Sequence, residues 1–159
     1  MVDITLISVG TLKEDYLRAG VDEYKKRLSQ FARVEEINLK EERIRNEDDA
    51  SEIRRALEAE GARIIAAMPK DSARVALCVE GREYDSPALA SLVGSLADER
   101  GRITLVIGSS HGLAESVKRE CSVRLSLSRL TFPHQLMRVV LLEALYRSFT
   151  ILAGKRYHK

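Results

Sequence analysis

Five short runs of β-branched and aliphatic residues, each followed by a segment long enough for a helix, constrain this chain more than any other feature. Val2–Val9 is rich in Val and Ile and stops at Gly10; Val34–Leu39, Arg74–Val79, Ile103–Ile107 and Val123–Leu127 repeat the type. Between the first two, Lys13–Phe31 places Tyr16, Leu17, Val21, Tyr24 and Leu28 at helical spacing, with charges on the other face. Ala50–Met68 also reads as a helix, and Ser86–Arg100 opens on Ser86-Pro87, a capping residue and a proline suited to a helix start. Lys40–Asp49 is so dense in charge that an exposed, mobile loop is expected. Strand and helix in alternation predict an α/β fold, a mostly parallel sheet with helices on both faces. Ligands in such sheets gather outside the carboxyl ends of the strands, so chemistry is sought in the loops after Val79, Ile107 and Leu127.

A length of 159 residues and a hydrophobic content of 45% suit one domain spanning residues 1–159. No apolar run approaches the ~20 residues of a bilayer helix, and no basic-then-apolar leader opens the chain, so a cytoplasmic protein away from membranes is expected. Cys78 and Cys121 sit in apolar segments without a CxxC or Cys/His cluster, which predicts buried small hydrophobes in a reducing compartment and no metal centre. The net charge of +2 hides a gradient: residues 1–60 carry 11 basic and 15 acidic side chains, whereas residues 134–159 carry 5 and 1. Any polyanion contact is therefore expected at the C-terminal end.

Three segments stand out as carriers of chemistry. Ile107-Gly108-Ser109-Ser110-His111-Gly112-Leu113 follows a strand and is bounded by glycines; it is either a plain connector or a turn that lets backbone approach a ligand. Its spacing is GxxxG, so the GxGxxG of dinucleotide binding, which a small dehydrogenase would need, is missing. His111 reads as a turn residue, because no second metal ligand lies at useful spacing. The run Leu127-Ser128-Arg129-Leu130-Thr131-Phe132-Pro133 is held extended at its end by proline, and either joins strand to helix or grips a small ligand with free backbone groups. The last helix, His134–Leu152, is apolar on nearly every face and needs covering on two sides, most simply by a second copy of the chain. Beyond it, Gly154-Lys155-Arg156-Tyr157-His158-Lys159 is a frayed terminus or an RNA grip, cations for phosphate and an aromatic ring for stacking.

The glycine turn, the run Leu127–His134, the helix segment Met137–Arg147 and the ending Tyr157-His158-Lys159 together resemble the RlmH family of SPOUT-class methyltransferases over the whole chain; Ser8-Val9-Gly10 fits as well. The resemblance implies a deep C-terminal trefoil knot, a homodimer, and transfer of a methyl group from S-adenosyl-L-methionine to N3 of a pseudouridine in large-subunit (23S) ribosomal RNA of the assembled ribosome. Carried over by motif, Leu77, Gly108, Leu127, Ser128, Arg129, Leu130, Thr131 and Phe132 would line the cofactor. His134, or His158 from the partner's tail, would take the N3 proton, and Arg138 would offset the imide charge or orient a phosphate. Arg156, Tyr157 and Lys159 would hold RNA. Ser109 departs from a frequent Gly-Gly and would narrow the approach of backbone to ligand. The rival reading is a non-catalytic ribosome-binding or RNA-binding protein of the same fold, which explains the basic tail, leaves Leu127–His134 without purpose and has no affinity for the cofactor.

Overall fold

The computed structural model describes Met1–Lys159. Five strands, β1 (Val2–Val9), β2 (Ala32–Leu39), β3 (Ala73–Glu83), β4 (Arg102–Ile107) and β5 (Val123–Ser126), form one sheet in the order β2-β1-β4-β3-β5, with every pairing parallel. Parallel neighbours need crossovers, and five helices supply them and the sheet's cover: α1 (Asp15–Leu28), α2 (Ala50–Ala67), α3 (Ser86–Arg100), α4 (Glu115–Arg119) and α5 (His134–Leu152). Alternate side chains of each strand serve different cores, as the period of two requires. Ile4 and Leu6 join Ile103, Leu105 and Ile107 in the larger core with α1, α3 and α5, while Ile7, Val9, Ala76 and Val106 face α2 and α4. The expected α/β architecture with helices on both faces is what the chain forms.

Because β4, β3 and β5 are neighbours, the loops after them open on one edge of the sheet. The β3–β5 pairing is interrupted there. Leu77 lies opposite Leu125 and, after residues 78–81 swing out of the ladder, Arg82 lies opposite Leu125 as well. Such a bulge bends a strand end and frees its residues for other contacts. Gly81 makes it possible, since a Cβ at this position would stand 2.6 Å from the Leu125 carbonyl carbon and 2.8 Å from that of Arg124. The expected strand ending at Val79 is therefore the first half of a longer, broken one.

Helix α5 begins at His134, as the proline before it suggests, and runs between α1 and α3. Gly20 of α1 admits Val139, and Gly94 of α3 admits Leu152. Much of the expected cover comes from the chain itself, which buries Leu141, Leu142, Leu145 and Phe149, while Leu136, Met137, Val140 and Ile151 remain half-buried. Two further expectations shift. The α3 cap is Asp85, whose carboxylate accepts from the Ala88 amide at 2.9 Å, so Ser86 is the first helical residue. Lys40–Asp49 is exposed yet fastened to α2 rather than free: Arg63 donates to the Lys40 carbonyl at 2.7 Å and pairs with Glu42, and Glu52 accepts from the Arg45 amide at 2.6 Å. Cys121 is buried as expected, but Cys78 is only half-buried. No helix is long and apolar enough to cross a membrane.

A methyl group at position 81 has only backbone to push against. Gly81→Ala is expected to lower the unfolding free energy by about 1–3 kcal/mol in urea titrations; an unchanged midpoint would mean that β5 moves aside freely.

Candidate active site

The three loops after β3, β4 and β5 meet around an open cavity of about 660 Å³, bounded on a further side by the first turn of α5. Its walls come from Leu77–Glu80, Ile107–Leu113, Leu125–Ser128 and Leu130–Pro133, with His134 and Met137 from α5 and Lys118 from α4. A volume in this range accommodates a small organic ligand, and walls of aliphatic side chains, hydroxyls and peptide groups favour a molecule with apolar and hydrogen-bonding parts. Glu80 and Lys118 on this wall pair with each other, and that hydrogen bond holds the Glu80 carboxyl below its usual range.

The turn after β4 folds back on itself so closely that Gly108 has no alternative. A Cβ there would lie 2.2 Å from the Gly112 carbonyl oxygen, and Gly112 takes φ of +89°, a region that side chains disfavour. The Gly112 amide closes the turn on the Ser109 carbonyl at 2.9 Å. Ser109 donates its hydroxyl to Glu60 Oε1 at 3.0 Å, so that hydroxyl is directed into the protein, away from the bulk of the cavity. The serine at this position therefore lines the cavity and also anchors the turn.

The run after β5 is folded by its own serines: Ser126 donates to the Ser128 carbonyl at 3.0 Å, and Ser128 Oγ accepts from the Leu130 amide at 3.0 Å. Among residues 128–132, Leu130 alone donates its amide within the chain. Leu77, Gly108, Leu127, Ser128, Leu130, Thr131 and Phe132 all line the cavity; Arg129 is exposed and stands outside its wall. Leu130 leaves 71% of its surface in water, an apolar side chain at the cavity mouth with nothing over it.

His134 opens α5 half-buried, its Nε2 3.8 Å from the point where a Gly10 Cβ would stand, and Glu41 Oε2 is 3.5 Å from the same point. Gly10, with φ of +92°, leaves room for both. Burial lowers the His134 pKa from its ordinary 6.5, with Glu41 acting in the opposite sense and Arg138 reinforcing the fall. The ring is therefore neutral at neutral pH and able to accept a proton.

Arg138, one turn further along α5, is 0% exposed and lies beneath the wall rather than on it. Its guanidinium donates to Asn38 Oδ1 at 2.8 Å, to the Gly10 carbonyl at 2.7 Å and to the Val9 carbonyl at 3.4 Å, while its Nε–H has no partner. One side chain thus ties the carboxyl ends of β1 and β2 to the helix that carries His134. Burial lowers the pKa of this group from the usual guanidinium value.

The tail lies elsewhere. His158 Nδ1 is 3.3 Å from Arg147, thirteen residues along α5 from His134 and so about 20 Å away along the helix axis. Tyr157 packs edge-on against Tyr146, lies under the Arg147 guanidinium and hydrogen-bonds Glu143 at 3.2 Å. Burial, followed by its links to Tyr24 and Glu143, pushes its phenol up to about 12. Arg156 and Lys159 are exposed. Within one chain His134 and Arg138 are brought together at the cavity, and His158 and the basic tail are not.

Residues 2–158 match a protein family described as "Predicted SPOUT methyltransferase". The chain belongs to the SPOUT methyltransferase family. Its similarity to named members extends from end to end: it is 42% identical over 159 residues to the ribosomal RNA large subunit methyltransferase H of Shouchella clausii (strain KSM-K16), and 41% identical over 159 residues to the protein of that name in Listeria monocytogenes serotype 4b (strain CLIP80459). Each comparison covers 99% of this chain and 100% of the relative. This agrees with the resemblance carried by the glycine turn, the Leu127–His134 run and the final helix.

Sequence reasoning passed over several residues that shape the site of this SPOUT methyltransferase. Asn38 and Glu41 look like ordinary polar residues beside a charged loop, with no signal of their own. Glu60 does carry one: it falls in the helical stripe Ala56-Glu60-Ile64, all buried, where a carboxylate is out of place.

Replacing Arg138 by Ala leaves a cavity in the core and strips the buried Val9 carbonyl, the half-buried Gly10 carbonyl and Asn38 of their shared donor. The expected cost is roughly 2–4 kcal/mol of unfolding free energy by chemical denaturation; a loss below 0.5 kcal/mol would show that these acceptors find other partners.

Proposed function

We propose that this chain uses S-adenosyl-L-methionine to methylate N3 of a pseudouridine in 23S ribosomal RNA, acting in the cytoplasm on the assembled ribosome. The observation that carries the reading is the convergence of three strand-end loops on one cavity whose walls offer apolar surface and unpaired backbone amides in place of a cluster of cations. Adenine and a methionine side chain suit such walls, and the Gly108–Gly112 turn brings peptide groups to the ligand without intervening side chains. The names of the full-length relatives support ribosomal RNA as the substrate.

When bound, the cofactor supplies a methyl group on a sulfonium, a leaving group that needs no protonation. The protein's tasks are alignment and removal of the N3 proton. Leu77, Gly108, Leu127, Ser128, Leu130, Thr131 and Phe132 hold the donor, and Arg129 faces outward at the mouth. A ring nitrogen of His134, neutral because the side chain is half-buried, takes the proton. The Arg138 cation beneath it adds a positive field that favours the imide anion, while its hydrogen bonds keep Gly10 and Asn38 in place.

Residues 1–159 form one SPOUT-type unit whose segment after β5 passes through the chain as a trefoil knot; the broken β3 and the tight seat of Gly81 on β5 are the local geometry that supports it. Two copies pair through α5, on which Leu136, Met137, Val140 and Ile151 keep apolar surface. Pairing answers the separation within one chain: His158, Arg156, Tyr157 and Lys159 of one protomer reach the cavity of the other, where His158 is the alternative proton acceptor and the remaining three bind RNA.

The test is transfer of labelled methyl from S-adenosyl-L-methionine to ribosomes, free large subunits and naked RNA from cells lacking the modification. Label on a pseudouridine of intact ribosomes is expected; saturable cofactor binding without label on any of them would discard the substrate, and no binding at all would return the chain to RNA binding without catalysis. In single-turnover experiments the rate should fall as pH drops through a pKa below 6.5, where His134 becomes protonated. His134→Ala should remove that acid limb and slow transfer by about 10²–10⁴-fold. Full rates in both His134→Ala and His158→Ala would rule out both as the base.

A further inference from the structure

Glu60 is the one acidic residue buried in the protein, 3% exposed, and no cation stands against it. Its oxygens accept from two neutral donors: Oε1 from the Ser109 hydroxyl at 3.0 Å and Oε2 from the Glu42 amide at 2.8 Å. Burying a carboxylate without an opposite charge is costly, and burial raises the pKa of this one, the Ser109 bond opposing the shift. The residue beside it shows that its location is built closely. A Cβ on Gly61 would stand 3.2 Å from Ala114 and from Val117, so α2 presses directly onto the segment that leads out of the glycine turn. Glu60 is not part of the cavity wall.

We propose that Glu60 is a positioning residue for the methyl-donor site: through Ser109 it holds the Gly108–Gly112 turn in place, and through the Glu42 amide it fastens the β2–α2 loop to the same point. The assignment rests on the reading of the cavity as the donor site. On its exposed side the turn also meets the β2–α2 loop, where His111 Nε2 lies 3.5 Å from Glu47 Oε2, but the Gly112 bond to Ser109 is internal to it and the Glu60 bond is the side-chain hydrogen bond that reaches it from the core. Without the carboxylate the turn is free to drift, and its peptide groups no longer present a fixed surface to the ligand. The loss falls on donor affinity rather than on the chemical step, because Glu60 touches neither the methyl group nor the nucleophile. Glutamine is expected to restore the link: its carbonyl accepts from the Glu42 amide and its NH2 donates to the Ser109 oxygen, which accepts as readily as it donates.

The experiment is calorimetric titration of the full-length protein with S-adenosyl-L-homocysteine, together with transfer rates at saturating S-adenosyl-L-methionine, for the wild type, Glu60→Ala, Glu60→Gln and Ser109→Ala. The expected result is a Kd about 10-fold higher for Glu60→Ala and Ser109→Ala, corresponding to the loss of roughly one hydrogen bond's net contribution. Rates at saturating donor should stay within about 3-fold of the wild type, and Glu60→Gln should bind as the wild type does. Should Glu60→Ala fail to fold, Ser109→Ala and Glu60→Gln carry the comparison. Wild-type affinity in Ser109→Ala and Glu60→Ala would overturn the proposal, and so would a Glu60→Gln protein as weak as Ser109→Ala. A wild-type protein that binds no S-adenosyl-L-homocysteine would instead overturn the donor reading on which the assignment rests.

Discussion

Two contacts of backbone against backbone set the shape on which the rest of the site depends. At Gly108 the chain returns over its own turn with the Gly112 carbonyl where a side chain would be, and at Gly81 the end of β3 lies flat on β5. Gly108 lines the cavity, and Gly81 follows Leu77–Glu80, which also line it. Close packing of main chain against main chain gives a wall with little freedom to deform, since peptide groups cannot rotate aside as side chains do. Aliphatic residues, serines, Thr131 and His134 then complete a surface that mixes apolar side chains with hydroxyls and peptide groups.

Behind this wall stand two buried charges held by neutral partners. Arg138 gathers carbonyl and amide oxygens from the ends of β1 and β2, and Glu60 gathers a hydroxyl and an amide from the glycine turn and the β2–α2 loop. They lie on opposite faces of the sheet, one on α5 and the other on α2. Neither is an economical way to stabilise a core, because an apolar residue of similar size would cost less to bury. What each charge does obtain is geometry: several main-chain groups from different segments converge on one point and are fixed there. Strong hydrogen bonds to a charged group are well suited to that purpose.

Much of the fold was legible because periodicity reports burial directly. The β-branched apolar runs of β1 and β4, buried on both faces, and the stripe in α1 together have one satisfactory solution, a parallel sheet sandwiched by helices, and α5 starts at His134 because Pro133 admits no earlier helix. The site was legible to the extent that it is written in contiguous motifs, the glycine turn and the run to His134, which line the cavity. Other features depend on distant partners and left no local trace. Arg138 is placed near the site by its motif alone, and its burial becomes evident only once the ends of β1 and β2 lie beside α5. Ser109 looked like an obstruction because its anchor, Glu60, is forty-nine positions away. Charge density in Lys40–Asp49 suggested mobility, but Glu42 pairs with Arg63, and Arg63 and Glu52 on α2 hold backbone groups of Lys40, Arg45 and Asn46. The many-sided apolar character of α5 was sound evidence for cover on two sides, though α1 and α3 of the same chain supply most of it.

The central claim is that the cavity at the carboxyl edge is where the methyl donor binds. Backbone hydrogen exchange measured residue by residue, with and without saturating S-adenosyl-L-homocysteine, tests it most directly, because three contiguous loop segments supply most of the wall. Slowed exchange confined to Leu77–Glu80, Gly108–Leu113 and Leu127–Pro133 is the predicted result. Protection centred elsewhere, for instance around the smaller depression beside Thr11, Arg18 and Glu36, with these three segments unchanged, would contradict it.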